Sequence, residues 1–355
     1  MSAQRQTPAD PGVAPGFAPD GNGPARDWIR ILSKYREPIL WRSLFEIAVT
    51  AVPFVLLWVV AYKAYTVSFW LSLPVSIFAA FFLVRLFLIQ HDCGHMAFFR
   101  DKRANDWLGR IIGVVTVTPY ELWKKSHAIH HGAAGNLDDR GTGDLMTLTV
   151  REYHERGLWG RITYRAYRHP LTLFVVGPIY VYMFENRLPF GYMRDGRYWL
   201  SAMGTNVAIL AVAALISWAI GVVAFLAIFL PVTLIAAAIG IWLFYVQHQF
   251  EETHWDSQED WQVHEAALHG SSHYVLPQPL KWISANIGIH HVHHLYSRIP
   301  YYRLSEVIRN HPELGEISKL TLRESFACVK LQLWDENRRK LVSYAEARRG
   351  MMAAA

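Results

Sequence analysis

Cysteine is nearly missing from this chain. Cys93 and Cys328 are the only two in 355 residues, which excludes a disulfide scaffold and gives no sign of an oxidising compartment. Charge is also scarce. Asp, Glu, Lys and Arg make up 18% of the residues, against roughly 25% in soluble domains. With 52% hydrophobic residues, a mostly disordered chain and a coiled coil are both excluded. No apolar segment follows the early Arg5, so no secretory leader is expected, and no repeat of fixed period is evident. The residues in excess are histidine, with 17 copies, and tryptophan, with 14.

Residues 1–25 are rich in Pro, Gly and Ala and are expected to be a disordered tail, as are residues 346–355. Between them, 26–345 reads as one membrane domain. Four apolar stretches, at about 44–62, 67–89, 198–220 and 222–246, approach or exceed the ~20 residues a helix needs to cross ~30 Å of hydrocarbon. They fall into two pairs with very short connections, which predicts two helical hairpins. Two shorter apolar stretches, Leu108–Pro119 and Leu171–Phe184, are expected to lie at the interface or to enter only half-way.

Lys and Arg gather before the first span, between the second and third, and after the fourth. Lys63 alone occupies the first hairpin turn, and the turn at Gly221 has none. The positive-inside tendency then puts both termini, 90–197 and 247–345 on the cytoplasmic side. The basic pI of 9.2 is thus a topology signal, and no nucleic-acid partner is expected. The predicted fold is all-α and integral to the membrane, with a cytoplasmic helical cap. Arg85, inside the second span, is expected to snorkel to the cytoplasmic interface. Trp28, Trp41, Trp107, Trp123, Trp159 and Trp199 read as interfacial anchors.

Three histidine boxes stand out: His91-Asp92-Cys93-Gly94-His95, His127-Ala128-Ile129-His130-His131 and His290-His291-Val292-His293-His294. Spacings of three and four share a helix face, so each box is expected to aim two or three imidazoles at a common point, with His291 turned away. The first box follows the second span and the third follows the fourth, so all three reach one side of the membrane provided 171–184 does not cross. His248, at the end of the fourth span, is a candidate ninth ligand. Four ligands suffice for zinc; eight or nine imidazoles suit two six-coordinate ions with open positions.

These boxes, in this order around two hairpins, resemble the integral-membrane fatty acid desaturase family over roughly Tyr35 to Val342. Residues 135–139, 143–150, 244–251, 270–274 and 286–300 are similar to the bacterial acyl-lipid members of the delta-12 (omega-6) type. The resemblance implies an O2-dependent desaturase that places a cis double bond in a lipid acyl chain at two non-haem iron ions. It also implies ligand roles for His91, His95, His127, His130, His131, His290, His293 and His294, with His248 as the additional one, and a bacterial inner-membrane location. No His-Pro-Gly-Gly haem motif is present, so electrons are expected from a separate ferredoxin or cytochrome b5-type protein.

Metal-bound imidazoles usually donate their second N–H to a carboxylate or carbonyl. Asp92 is the first candidate for that role near the cofactor, followed by Asp138, Asp139, Asp144, Glu251, Glu252 and Asn286. The histidines outside the boxes are assigned no ligand role; His273 is a candidate for the substrate path, and Cys93 reads as a packing residue. The competing readings are a hydroxylase or ketolase of an alkyl, carotenoid or sphingolipid chain on the same scaffold, and a divalent metal transporter. A transporter needs ligands near the bilayer midplane, and the four spans contain no histidine and only Glu46 among acidic residues.

Overall fold

The computed structural model describes residues 24–141 and 143–354. Most of the described chain is helical. Among the described residues, four helices are long and apolar enough to cross a membrane: Leu40–Tyr65, Phe69–Gly94, Gly196–Ile220 and Val222–His248. Each runs past its expected stretch at one end or both, although the second starts two residues later than expected, and polar residues cap the ends. The Ser68 hydroxyl accepts from Trp70 N at 3.2 Å and starts the second helix. Asp195 accepts from Arg197 N and starts the third. Gly221 takes φ +88°, a turn that only glycine makes without strain, and joins the third to the fourth. Pro53, Pro74 and Pro231 lie inside helices that continue through them.

The second span is the axis of the bundle. Ala79, Ala80, Leu83 and Ile89 are buried on it, and it packs against the first and fourth spans. The third span is peripheral: Ala202 is its one buried residue among those described, while Leu200, Val207, Leu210, Leu215 and Trp218 are exposed. An outward face this apolar is stable only against lipid.

Residues 171–184 contain a π-helical turn, Thr172–Val176, running into the helix Gly177–Met183. Pro178 has no N–H to give the carbonyl of Phe174, and Gly177 N–H bonds instead to Thr172 O, five residues back. The element is roughly 18 Å long at 1.5 Å per residue, short of the ~30 Å hydrocarbon core. Phe174 packs on Trp242 and Tyr245 of the fourth span, at 5.2 and 5.3 Å between ring centroids, close to the His248 end.

Beyond the spans the chain forms short helices and two small sheets. Leu148–Thr149 pairs in parallel with Leu333–Asp335, which pairs antiparallel with Lys340–Val342; His273–Val275 pairs in parallel with Lys319–Thr321. Arg168 ties these pieces together from a buried position. Its guanidinium donates to Met146 O, Thr147 Oγ1, Gln249 Oε1 and Leu331 O at 2.8–3.3 Å.

Three expectations are corrected. Residues 346–355 are not a loose tail as far as Ala354, since Tyr344–Ala354 is a helix. Ser343 and Glu346 form a reciprocal cap at its start, and Ala347 is buried beside Tyr153 and Tyr164. Of the tail expected over 1–25, residues 24 and 25 open the helix Pro24–Leu32; the remainder lies outside the described residues. Arg85 does not snorkel. It is 2% exposed and paired with Glu46, itself 1% exposed.

Arg168→Met is expected to remove these four hydrogen bonds from a buried position and to cost about 3 kcal/mol or more. The check is the thermal unfolding midpoint of the detergent-purified chain.

Candidate metal centre

The first box lies where the second span ends. His91 is in its last turn, and His95 N–H still bonds to His91 O at 3.2 Å. The chain then leaves the helix at Met96, φ +57°. The second box occupies the last turns of Tyr120–Ala133, the third forms the short helix His290–Leu295, and His248 is the last residue of the fourth span.

These nine side chains meet in two groups. One contains His91, His95, His127, His131 and His293; the other contains His130, His248, His290 and His294. Within each group one ring nitrogen per residue lies within 4.8 Å of all the others. The first box converges as expected; the second and third each bring two of their three to a common point and send the third to the other group, for a helical reason. At about 100° per residue, positions i and i+4 differ by about 40°, while i+3 lies about 60° to the other side. His127 and His131 accordingly share one group and His130 serves the other; His290 and His294 share the second and His293 serves the first. The rings of His131 and His294, one from each group, stack at 4.0 Å, so the two groups have a common wall. His291 faces away and meets Leu314 O at 2.8 Å.

The donor set fits metal ions. In the first group Nε2 of His127 lies 3.0 Å from that of His95 and 3.2 Å from that of His131, which lies 3.2 Å from that of His293. In the second, Nε2 of His248 lies 3.1 Å from His130 and 3.0 Å from His290. One in-plane N–H or lone pair cannot align with two neighbours at once. Nitrogens bound about 2.1 Å from one first-row ion at right angles lie about 3.0 Å apart. Burial, reinforced by the neighbouring imidazoles, holds His95, His127, His130, His131, His290, His293 and His294 well below the ordinary imidazole pKa. They are neutral at ordinary pH, the form that ligates metals.

The second nitrogens are served unevenly. His248 Nδ1 lies 3.3 Å from Gly270 O, and Nδ1 of His130 and of His290 has no protein partner. Asp92 Oδ1 is 3.5 Å from His91 Nδ1, while its Oδ2 accepts from Tyr301 N at 2.7 Å. The other candidates are engaged elsewhere: Asp138 with Gln258 N, Asp144 with Leu145 N, Glu251 with Lys340 and Asn286 with Ser305. Asp139 and Glu252 are exposed. His273 holds Gly315 O at 2.6 Å beside His291, apart from both groups. Cys93 is buried in the core.

Three aromatic side chains complete the site. Trp123, expected at the interface, stacks on His127 at 4.7 Å and reaches His91 at 5.8 Å. Phe87 meets Trp123 at 5.4 Å, and Phe244 lies beside His130 and His248 at 5.0 and 5.1 Å. Each stands four residues before a clustered histidine: Phe87 before His91, Trp123 before His127, Phe244 before His248. That spacing was the available signal, because i and i+4 share a helix face. Behind Phe87 a small cavity of about 20 Å³, lined by residues such as Leu83, Tyr182, Ala236 and Gly240, lies between the second and fourth spans and the 177–183 helix.

A sequence model described as "Fatty acid desaturase" matches residues 68–326. The chain is 42% identical over 314 residues to a protein of Bacillus subtilis (strain 168) named "Fatty acid desaturase", covering 88% of this chain and 89% of the relative. It is 28% identical over 253 residues to the "sn-1 acyl-lipid omega-3 desaturase (ferredoxin)" of Synechocystis, covering 65% of each. It is 24% identical over 307 residues to the "sn-1 oleoyl-lipid 12-desaturase" of Anabaena variabilis, covering 76% and 77%.

A methyl group on Gly94, inside the first box, would stand 2.7 Å from Trp123 Cζ3. Gly94→Ala is expected to push the indole off His127 and to destabilise the chain by about 1–3 kcal/mol. Thermal melts of this variant, with partial recovery in Gly94→Ala/Trp123→Phe, check it.

Proposed function

The chain belongs to the fatty acid desaturase family, and we propose that it introduces a cis double bond of the delta-12 (omega-6) type into the acyl chain of a membrane lipid, using two non-haem iron ions. The observation that carries this reading is the pair of histidine groups at the ends of membrane-length helices. His91, His95, His127, His131 and His293 would hold one ion, and His130, His248, His290 and His294 the other. Imidazole suits iron, and the family to which the chain belongs favours iron over zinc.

An unactivated methylene has no proton that a side chain can remove, so the metal pair would supply the oxidising power and the protein the placement. The balance needs O2: two hydrogens from adjacent carbons, two electrons and two protons leave as two waters, and a C=C bond remains. The chain's own part is to hold the imidazoles neutral, the four-histidine group fully buried and the five-histidine group half-buried at His95, His127 and His131. Trp123 and Phe244 pack against them from the second-box helix and the fourth span, with Phe87 of the second span behind Trp123. Asp92 lies near the cofactor but acts through His91 and Tyr301.

The electron donor in this reading is a separate protein, a ferredoxin or a cytochrome b5-type donor, with the ferredoxin favoured by the name of the Synechocystis relative. The distribution of Lys and Arg supports placing both termini and the site on the cytoplasmic side of a bacterial inner membrane. The delta-12 position is supported by the named 12-desaturase relative and the stretches around the second and third boxes. Nothing in the site favours hydroxylation or ketolation of another chain, and ligands beyond the span ends do not suit a transporter.

Expression in a bacterial host with a matching donor should yield a new diene whose second double bond starts at carbon 12, located by gas chromatography–mass spectrometry of derivatised methyl esters. His130→Ala should abolish it. A hydroxylated acid instead would overturn the desaturation reading, and a bond elsewhere would overturn the delta-12 assignment alone. The purified chain should carry two irons by elemental mass spectrometry, and His248→Ala about one.

A further inference from the structure

The mechanism leaves a buried ion pair between the first two spans unused. Glu46 of the first span and Arg85 of the second form an ion pair in which both side chains are 2% exposed. Two charges buried between membrane spans are costly to desolvate, and such residues are functional candidates.

The contacts of this pair run in both directions along the chain. Arg85 Nε donates to Thr50 Oγ1 at 3.0 Å, and Arg85 also donates to Trp282 O. Its guanidinium lies 4.0 Å over the Trp282 ring. Glu46 accepts from the Tyr301 hydroxyl at 3.1 Å and from Arg42 at 2.7 Å. The backbone N–H of that same Tyr301 donates to Asp92, the residue next to His91. Trp282 precedes the third box and Tyr301 follows it. A closed circuit therefore runs from the first box through Asp92, Tyr301, Glu46 and Arg85 to Trp282, so both flanks of the third box are clasped to the helix that carries the first.

Only one histidine group depends on that relation. The five-histidine group joins His91 and His95 of the first box to His293 of the third; the four-histidine group contains no residue of the first box. We propose that Glu46 and Arg85 are positioning residues for the five-histidine site, acting through Tyr301 and Trp282 to hold the first box in register with the third. This rests on the reading of the two groups as metal sites.

The test uses the full chain, purified in detergent, loaded with iron and challenged with a chelator while retained iron is followed by elemental analysis. Wild type should hold two irons. The charge-neutral double variant Glu46→Leu/Arg85→Leu removes the circuit without leaving a lone buried charge, and such replacements often preserve folding. It should lose one iron about 10–100-fold faster, the usual effect of removing a group that orients a ligand, and the second at the wild-type rate. Tyr301→Phe keeps the ion pair, cuts the link from Glu46 towards Asp92, and should show the same selective loss. It keeps the inference falsifiable if the double variant fails to fold. Equal loss of both irons, or wild-type retention of both in a folded variant, overturns the inference and leaves the metal reading standing. A wild-type chain that holds no iron overturns both.

Discussion

Helices that cross a bilayer carry imidazoles at least cost near their ends, because hydrocarbon leaves an unpaired polar group no partner. The chain is built around that restriction. The second and fourth spans deliver His91 and His248 in their final turns, and His95 comes one residue past the second. The remaining six ligand candidates come from two short helices packed against those ends. Burial keeps the imidazoles uncharged, and Trp123, backed by Phe87, and Phe244 pack against them, while His95, His127 and His131 stay half-exposed. A site that must be both nitrogen-rich and largely buried is possible where apolar spans stop and a folded cap begins.

The interleaving of the boxes follows from the same geometry. A stretch with histidines at i, i+3 and i+4 cannot bring all three rings to one ion, because the third position turns away from the other two. Two such helices placed side by side solve this reciprocally, each lending its odd histidine to the other's group. The stacked His131 and His294 rings mark the shared boundary. Neither group is a module: the first needs three separate segments of chain and the second needs another three, with the second and third boxes common to both.

The spans, the three boxes and His248 were legible in the sequence because they depend on local periodicity and hydropathy alone. The division into five and four was not, since it depends on how short helices are rotated about their own axes in the fold. Arg85 illustrates a different limit. Six residues from the first box, it has the position of a side chain that could reach the interface, and only the placement of Glu46, Trp282 and Tyr301 decides that it stays inside. The final helix was missed for a smaller reason. Its Ser343–Glu346 cap is written in the sequence, but the Ala-rich end after Arg349 suggested no buried face, and Ala347 reaches one only because Tyr153 and Tyr164 come from elsewhere in the chain.

The Glu46–Arg85 pair has a bearing on how the chain reaches the membrane at all. Both residues belong to the first hairpin, whose two helices pack closely along their length. Their later partners, Trp282 and Tyr301, do not yet exist when that hairpin is made. As the hairpin folds on itself, the acid and the guanidinium neutralise each other without help from the rest of the protein, so two charges that would each resist transfer into lipid can enter as one dipole. The pair is thus complete within the hairpin, and the contacts that enlist it for the third box come from outside that unit.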